Sequence, residues 1–137
     1  MEKSILLVDD DNILRFVVAQ MLTKKGYQVF EASDGSNGLK LFEAHQTKIN
    51  LVITDFEMPI LNGGEMMMFI LSVRRTIPGI IISGRKNIAF ESYGLNEDNI
   101  YFVEKPFNVE QLANLVADCL SPDAETLNNH LRVKQFI

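Results

Sequence analysis

Acidic, hydroxyl and ammonium side chains stand directly after four short apolar runs of this sequence. They are Asp9, Asp10 and Asp11 after the first run, Asp55 after the third, Ser83 and Gly84 after the fourth, and Glu104 and Lys105 after the fifth. In an open α/β sheet, ligands bind outside the carboxyl ends of the strands. If the runs are parallel strands, these groups therefore lie along one edge of one sheet.

The chemistry of such an edge follows from its charges. Several carboxylates in one cleft repel one another unless a cation compensates them, and Mg²⁺ is commonly held by one or two carboxylates together with a phosphate. Lys105 and Ser83 would then offer a positive charge and a hydroxyl donor to phosphate oxygens, and Gly84 would let the backbone approach. Asp55, on the central strand, is the natural nucleophile for an aspartyl phosphate. The residues predict a site that transfers a phosphoryl group.

Five apolar runs predict the strands that position these groups. The runs cover residues 5–8, 27–32, 51–54, 80–82 and 100–103, and segments with helical spacing begin near Asn12, Gly35, Asn62, Lys86 and Asn108. Regular alternation of strand and helix indicates parallel pairing through right-handed crossovers. Near-continuous apolar strands also indicate helices on both faces. We therefore predict an α/β domain with a doubly wound, five-stranded parallel sheet.

Local signals mark several helix ends. Asp34, Asn62 and Asn108 each precede a helical pattern and suit the N-cap position. Gly26 follows two lysines and suits a left-handed cap at the end of the first helix. The fourth helix is the weakest of the five predictions, because residues 87–94 are few and include a glycine near the end. We expect a short or mobile element there.

Size and composition set limits on function. A chain of 137 residues, 47% of them hydrophobic, matches one globular domain, which we place at residues 1–121, followed by a tail at 122–137 without an output domain. A net charge of −5 and a pI near 5.0 argue against direct DNA binding. The single cysteine and the absence of any run of about 18 apolar residues favour a cytoplasmic protein without membrane insertion.

Four segments of the chain resemble a known family. They are LLVDDD (6–11), LVITDFEMPILNG (51–63), IIISG (80–84) and YFVEKPF (101–107). Together and in this order they resemble the CheY-like receiver domains of the response regulators of two-component signalling, over about residues 3–120. The resemblance implies a flavodoxin-like fold with strand order 2-1-3-4-5.

The resemblance also implies roles for individual residues. Asp10 and Asp55 would bind Mg²⁺ or Mn²⁺ directly, together with the backbone carbonyl of Glu57, while Asp9 would act through water. Asp55 would accept the phosphoryl group, and Ser83 and Lys105 would contact its oxygens. The Lys105–Pro106 peptide bond would be cis, and Phe102 would occupy the aromatic switch position.

By the same resemblance, a sensor histidine kinase or a phosphotransfer protein would donate the phosphoryl group. The signal would pass through the fourth helix, fifth strand and fifth helix to an unknown protein target. The chain would not be an enzyme beyond Mg²⁺-dependent self-phosphorylation and slow autodephosphorylation. Ser83 and Phe102 stand where many members carry threonine and tyrosine, so no phenolic hydrogen bond contributes to the switch. We also hypothesise that Glu57 and Arg85 pair across the site and slow hydrolysis.

Other interpretations stay open at this point. The family's fold could serve as an interaction module that does not depend on phosphorylation. A hydrolase of the haloacid dehalogenase type would also use an aspartate nucleophile, but its paired-acid motif follows the first strand, and here Glu57 stands in the second acid position. Each residue also has an ordinary alternative, such as a helix cap in the run Asp9 to Asp11 or a loop acid at Asp55. The coincidence of four such groups at four strand ends favours the phosphoacceptor.

Overall fold

The computed structural model describes residues 2–84, 93, 95 and 98–121. Its elements are β1 (Ser4–Val8), α1 (Asn12–Lys24), β2 (Gln28–Ala32), α2 (Gly35–His45), β3 (Ile49–Asp55), α3 (Gly63–Val73), β4 (Gly79–Ser83), β5 (Ile100–Glu104) and α4 (Val109–Cys119). The strands and helices alternate as predicted as far as the described residues extend.

The sheet is parallel throughout, with the order β2-β1-β3-β4-β5. This confirms the predicted fold class. Val8 at the end of β1 pairs with Thr54 near the end of β3, and Asp55 pairs with Ile82 in β4. The strand order reverses beside β1, so the carboxyl ends of β1 and β3 flank the crevice in which this class of sheet binds its ligands.

Helices cover the sheet on both faces. One hydrophobic cluster joins Val18 and Leu22 of α1 to Leu112 and Val116 of α4 across the sheet residues of one face. A second joins Phe42 of α2 to Met66 and Ile70 of α3 across the other. Because both faces are covered, all five residues of β1 and all five of β4 are buried. The core therefore fixes the strand ends that carry the polar groups.

The predicted helix caps are confirmed. The side chains of Asp34 and Asn108 accept hydrogen bonds from first-turn amides, and Asn62 forms a capping box with Glu65. Gly26 has a φ of +97° and its amide donates to Thr23 O at 3.0 Å. This is the left-handed residue expected after α1.

The third strand is longer than predicted. It begins at Ile49 rather than at residue 51, because the polar Asn50 interrupts the apolar run in sequence but not in the sheet. Asn50 Oδ1 accepts a hydrogen bond from Ser4 N of β1 at 2.8 Å. The strand also continues to Asp55, which makes the predicted nucleophile its last residue.

Two predictions fall wholly or largely outside the described residues. The predicted fourth helix is one, since only Tyr93 and Leu95 of its neighbourhood are described, and the tail at 122–137 is the other. The helix predicted as the fifth is therefore α4 here. Among the helices of the described part, none is both long enough and apolar enough to cross a membrane.

Candidate functional site

Three carboxylates converge at the carboxyl ends of β1 and β3. Asp9, Asp10 and Asp55 each place one oxygen within 4.8 Å of the others. Asp9 and Asp55 are only 5% and 4% exposed, whereas Asp10 is exposed. The structure thus brings together the three acids that the sequence predicted to share one site.

The backbone after β1 is held in place by several hydrogen bonds. Asp9 N donates to Ala32 O at 3.1 Å, and Asp9 Oδ1 accepts from Asp11 N at 2.9 Å. Arg15 Nη1 donates to Asp9 O at 2.7 Å, while its Nε lies 3.3 Å from Glu31 Oε1. The sequence did not predict this role of Arg15, and the only signal that could have indicated it was its position one turn into α1. Its role is to fix the loop that carries Asp9 and Asp10.

Asp55 is a buried acid in negative surroundings. Burial raises its pKa to about 6, and the charges of Asp9 and Glu57 act in the same direction, whereas contact with Lys105 lowers it. The pKa of Asp9 is also raised, chiefly by burial. The hydrogen bond from Asp11 N and the charge of Lys105 lower this pKa, and the charges of Asp10 and Asp11 raise it. Without a cation beyond Lys105, the cluster therefore disfavours full ionisation.

Lys105 supplies a positive charge to Asp55 and follows β5, which lies on the other side of β3 from β1. Its Nζ lies 2.9 Å from Asp55 Oδ1, and its amide donates to Ser83 O at 2.8 Å. Burial alone would lower the pKa of Lys105, but the neighbouring carboxylates, Asp55 foremost, raise it. The ammonium group is thus held in its charged form beside the predicted nucleophile. The Lys105–Pro106 peptide bond is cis, as predicted.

Ser83 and Glu57 make direct contact. Ser83, the last residue of β4, is fully buried and its Oγ donates to Glu57 Oε1 at 2.6 Å. The sequence predicted that the backbone carbonyl of Glu57 binds metal and that its side chain pairs with Arg85, but it did not predict this bond to Ser83. Arg85 lies outside the described residues, so the proposed pair with Glu57 stays a prediction.

Phe102 lies in β5 opposite Ile81 of β4 and is partly buried. Phe102 is thus two strands away from Asp55, with β4 between them, and three residues before Lys105. Its role as a switch stays a prediction.

A glycine closes the loop that follows Asp55. A Cβ added to Gly63 would lie 2.2 Å from Asp55 O, so a side chain cannot be accepted without moving the backbone. Gly63 N donates to Phe56 O at 2.9 Å, which brings the start of α3 against the end of β3. Sequence analysis did not single out this glycine, although the Asn-Gly-Gly sequence was a signal for a tight approach.

The residues fit a hard divalent cation. Three oxygen donors meet with a surplus of negative charge, and oxygen ligands are those that Mg²⁺ prefers. Within the described part of the chain, no donor makes a hydrogen bond of good geometry to the buried Asp55 Oδ1, although Lys105 Nζ forms an ion pair with it. Asp9, Asp10 and Asp55 are therefore the residues that would hold the metal.

The chain is similar to proteins of two-component signalling. The family model "Response regulator receiver domain" matches residues 5–117. A probable transcriptional regulatory protein of Picosynechococcus is 31% identical over 120 residues, which are 84% of this chain and 47% of that protein. The CAI-1 autoinducer sensor kinase/phosphatase CqsS of Vibrio cholerae is 35% identical over 123 residues, which are 85% of this chain and 17% of that protein.

Solved structures give the same result. The receiver domain of the hybrid histidine kinase CckA superposes with a TM-score of 0.74 at 30% identity and covers 86% of this chain and 99% of that one. The chain spans less than half the length of the two curated relatives above. Family match, fold and acidic site agree, and the chain belongs to the response regulator receiver domain family.

Proposed function

We propose that this chain is a phosphoacceptor that receives a phosphoryl group on Asp55 from a histidine kinase or a phosphotransfer protein. The observation that carries the proposal is the arrangement around Asp55, with two acids on one side and Lys105 on the other. The similarity to sensor kinases that contain receiver domains supports a phosphohistidine donor.

In the proposed step, an Asp55 carboxylate oxygen attacks phosphorus and forms an O–P bond. The N–P bond of the donor phosphohistidine breaks, its electron pair stays on the imidazole nitrogen, and that nitrogen is then protonated. Lys105 stabilises negative charge on the transferred oxygens as a fixed cation. Ser83 contributes a hydroxyl donor. The work of the protein is positioning and charge neutralisation.

A bound Mg²⁺ or Mn²⁺ would compensate the carboxylates and neutralise charge on the phosphoryl oxygens. Asp10 and Asp55, with the backbone carbonyl of Glu57, would be its direct ligands and Asp9 would act through water. Because the raised pKa of Asp55 reflects burial and neighbouring acids, a cation in this cluster favours the ionised, nucleophilic form of Asp55. No other enzymatic activity is proposed.

The proposed output is a change of surface. Exchange of contacts at Ser83 would alter the packing at Phe102 on β5, and with it the face formed by the fourth predicted helix, β5 and α4. The signal would pass to a protein target by direct contact. This part of the proposal depends on a population shift driven by phosphoryl contacts that exist in one state only.

Intact-mass analysis tests the proposal. The full chain is incubated with Mg²⁺ and acetyl phosphate, with the Asp55→Ala variant in parallel. We expect wild type alone to gain the mass of one phosphoryl group and to lose it slowly. Absence of the adduct would favour an interaction module that does not use phosphorylation, and rapid turnover of donor without an adduct would favour a hydrolase.

A further inference from the structure

The bond between Ser83 and Glu57 engages the hydroxyl that a phosphoryl group on Asp55 would need. At 2.6 Å it is a short hydrogen bond to a carboxylate, the stronger class of such contacts. Ser83 is fully buried, so water cannot readily replace Glu57 as the acceptor. The bond joins the loop after β3 to the end of β4, two segments separated by 26 residues.

A serine hydroxyl has one proton and so donates one hydrogen bond at a time. We propose that Glu57 is an internal competitor of the phosphoryl group and holds the Ser83 hydroxyl while Asp55 is unmodified. On phosphorylation, Ser83 exchanges the Glu57 carboxylate for a phosphoryl oxygen. This inference rests on the proposed function. It makes Glu57 a positioning residue that sets how readily Ser83 changes partner when Asp55 is phosphorylated.

The charge of Glu57 acts on the same groups. Glu57 stands two residues after Asp55 in the chain, and it accepts from Ser83, whose carbonyl accepts from Lys105 N at 2.8 Å. Once Ser83 leaves it, Glu57 is a carboxylate without that donor beside a newly added phosphoryl group. Both effects weaken phosphoryl binding, but only the first passes through the Ser83 hydroxyl. A test must therefore separate the hydrogen bond from the charge.

A double-mutant cycle with a phosphoryl analogue makes this separation. Beryllofluoride is titrated into the full chain in saturating Mg²⁺, and its affinity is measured by calorimetry for wild type, Glu57→Ala, Ser83→Ala and the double variant. We expect Glu57→Ala to bind the analogue roughly tenfold more tightly, the effect of one charge-assisted hydrogen bond. In the Ser83→Ala background the same substitution should gain clearly less, because no hydroxyl is left to release.

Two further variants sharpen the result. Glu57→Gln keeps an acceptor oxygen but no charge, so it should fall between wild type and Glu57→Ala. Glu43→Ala removes an exposed acid of α2 and should leave the affinity unchanged. Equal gains from Glu57→Ala in the presence and absence of the Ser83 hydroxyl would mean that Glu57 acts by charge alone, and would overturn the proposal.

Amide chemical shifts test the Ser83–Glu57 contact directly, without metal or analogue. In ¹H–¹⁵N spectra of the metal-free chain, Glu57→Ala should shift the amides of Ser83 and of Lys105, whose N–H donates to Ser83 O. Unmoved resonances would overturn the proposal. If wild type and all variants fail to bind beryllofluoride although these shifts occur, the proposed function fails, and the competition that depends on it is overturned as well.

Discussion

The groups that surround Asp55 differ in the contacts they already make, depending on whether they follow β1 or belong to β4 and the end of β5. On the side of β1, Asp9 and Asp10 bring carboxylates toward Asp55, and the charge of Lys105 offsets that of Asp9 only in part, since the pKa of Asp9 stays raised. On the other side, Lys105 is paired with Asp55 and Ser83 is bonded to Glu57. Under the proposed function, a cation would enter without breaking these contacts, whereas a phosphoryl group on Asp55 would require both Lys105 and Ser83 to change partners.

Burial alone does not account for this difference. Cys119, in α4, is also buried, and its pKa is raised to about 12 by desolvation and by the charge of Asp118. What distinguishes Asp55 is a set of opposing influences, with burial and acids on one side and an ammonium group on the other. Asp55 therefore lies among charged groups, whereas Cys119 packs in an apolar cluster between the sheet and the helices.

Among the substitutions, the largest effect is expected from removing the ammonium group. Lys105→Ala should slow phosphorylation by acetyl phosphate by about 100-fold, the cost typical of losing one preorganised charge-stabilising donor. The rate is followed by intact mass in saturating Mg²⁺. Lys40→Ala, which removes an exposed lysine of α2, is the matched control. If Lys105→Ala is phosphorylated at the wild-type rate, Lys105 does not stabilise the transferred phosphoryl group.

We predict that removing one acid from the proposed metal site lowers its affinity for a divalent cation. Asp10→Asn should weaken Mg²⁺ binding by about tenfold or more, because even a group that only supports a metal ligand commonly costs that much. Calorimetric titration of Mg²⁺ measures the effect, and Glu43→Gln on α2 provides a control for loss of one exposed negative charge. If both variants bind like wild type, the acids do not form a metal site.

Metal removal should expose the repulsion between the acids. Because the pKa of Asp55 in the folded chain is about 6 against an ordinary 3.8, its contribution to stability is fully present below 3.8 and is lost as pH rises through 6. With a chelator at pH 8, Asp55→Asn should raise the free energy of unfolding by about 1–3 kcal/mol.

Urea unfolding provides that measurement. The gain should shrink as the pH falls from 6 and vanish below 3.8, where Asp55 is neutral in both folded and unfolded states. It should also shrink in saturating Mg²⁺, because bound metal stabilises the folded wild type. A variant less stable than wild type at pH 8 without metal would show that Lys105 already compensates the site.

A last comparison, which needs no substitution, concerns the buried thiol, where no ligand is expected. Cys119 should react with Ellman's reagent at pH 8 at least about a thousandfold more slowly in the folded chain than in denaturant, because reaction requires opening. Its contribution to stability is fully present below pH 9.0 and is lost as pH rises through about 12. Fast labelling of the folded chain would contradict the burial of Cys119 in α4.

Much of the fold could be predicted because its signals are local. Apolar runs mark strands, and Asp34, Asn62 and Asn108 mark helix starts through hydrogen bonds to amides only two or three residues away. The strand order and the cis bond before Pro106 were predicted from the resemblance to receiver domains. The start of β3 could not be predicted, because Asn50 joins the sheet through a bond to Ser4 that only the folded structure creates.

The site was predictable to the level of strand ends. Parallel strands bring their carboxyl ends to one edge, so the convergence of Asp9, Asp10 and Asp55 follows from topology. The Ser83–Glu57 bond does not, because it depends on the rotamers of two side chains on separate segments. The contact of Arg15 with Asp9 O is likewise tertiary.

The most direct test of this account is a crystal structure of the full chain with Mg²⁺ and beryllofluoride. We predict metal among Asp9, Asp10 and Asp55, the analogue on Asp55, and both Lys105 Nζ and Ser83 Oγ on its fluorines, with Ser83 released from Glu57. An analogue bound while Ser83 Oγ remains on Glu57, or a metal bound away from these acids, would contradict the account.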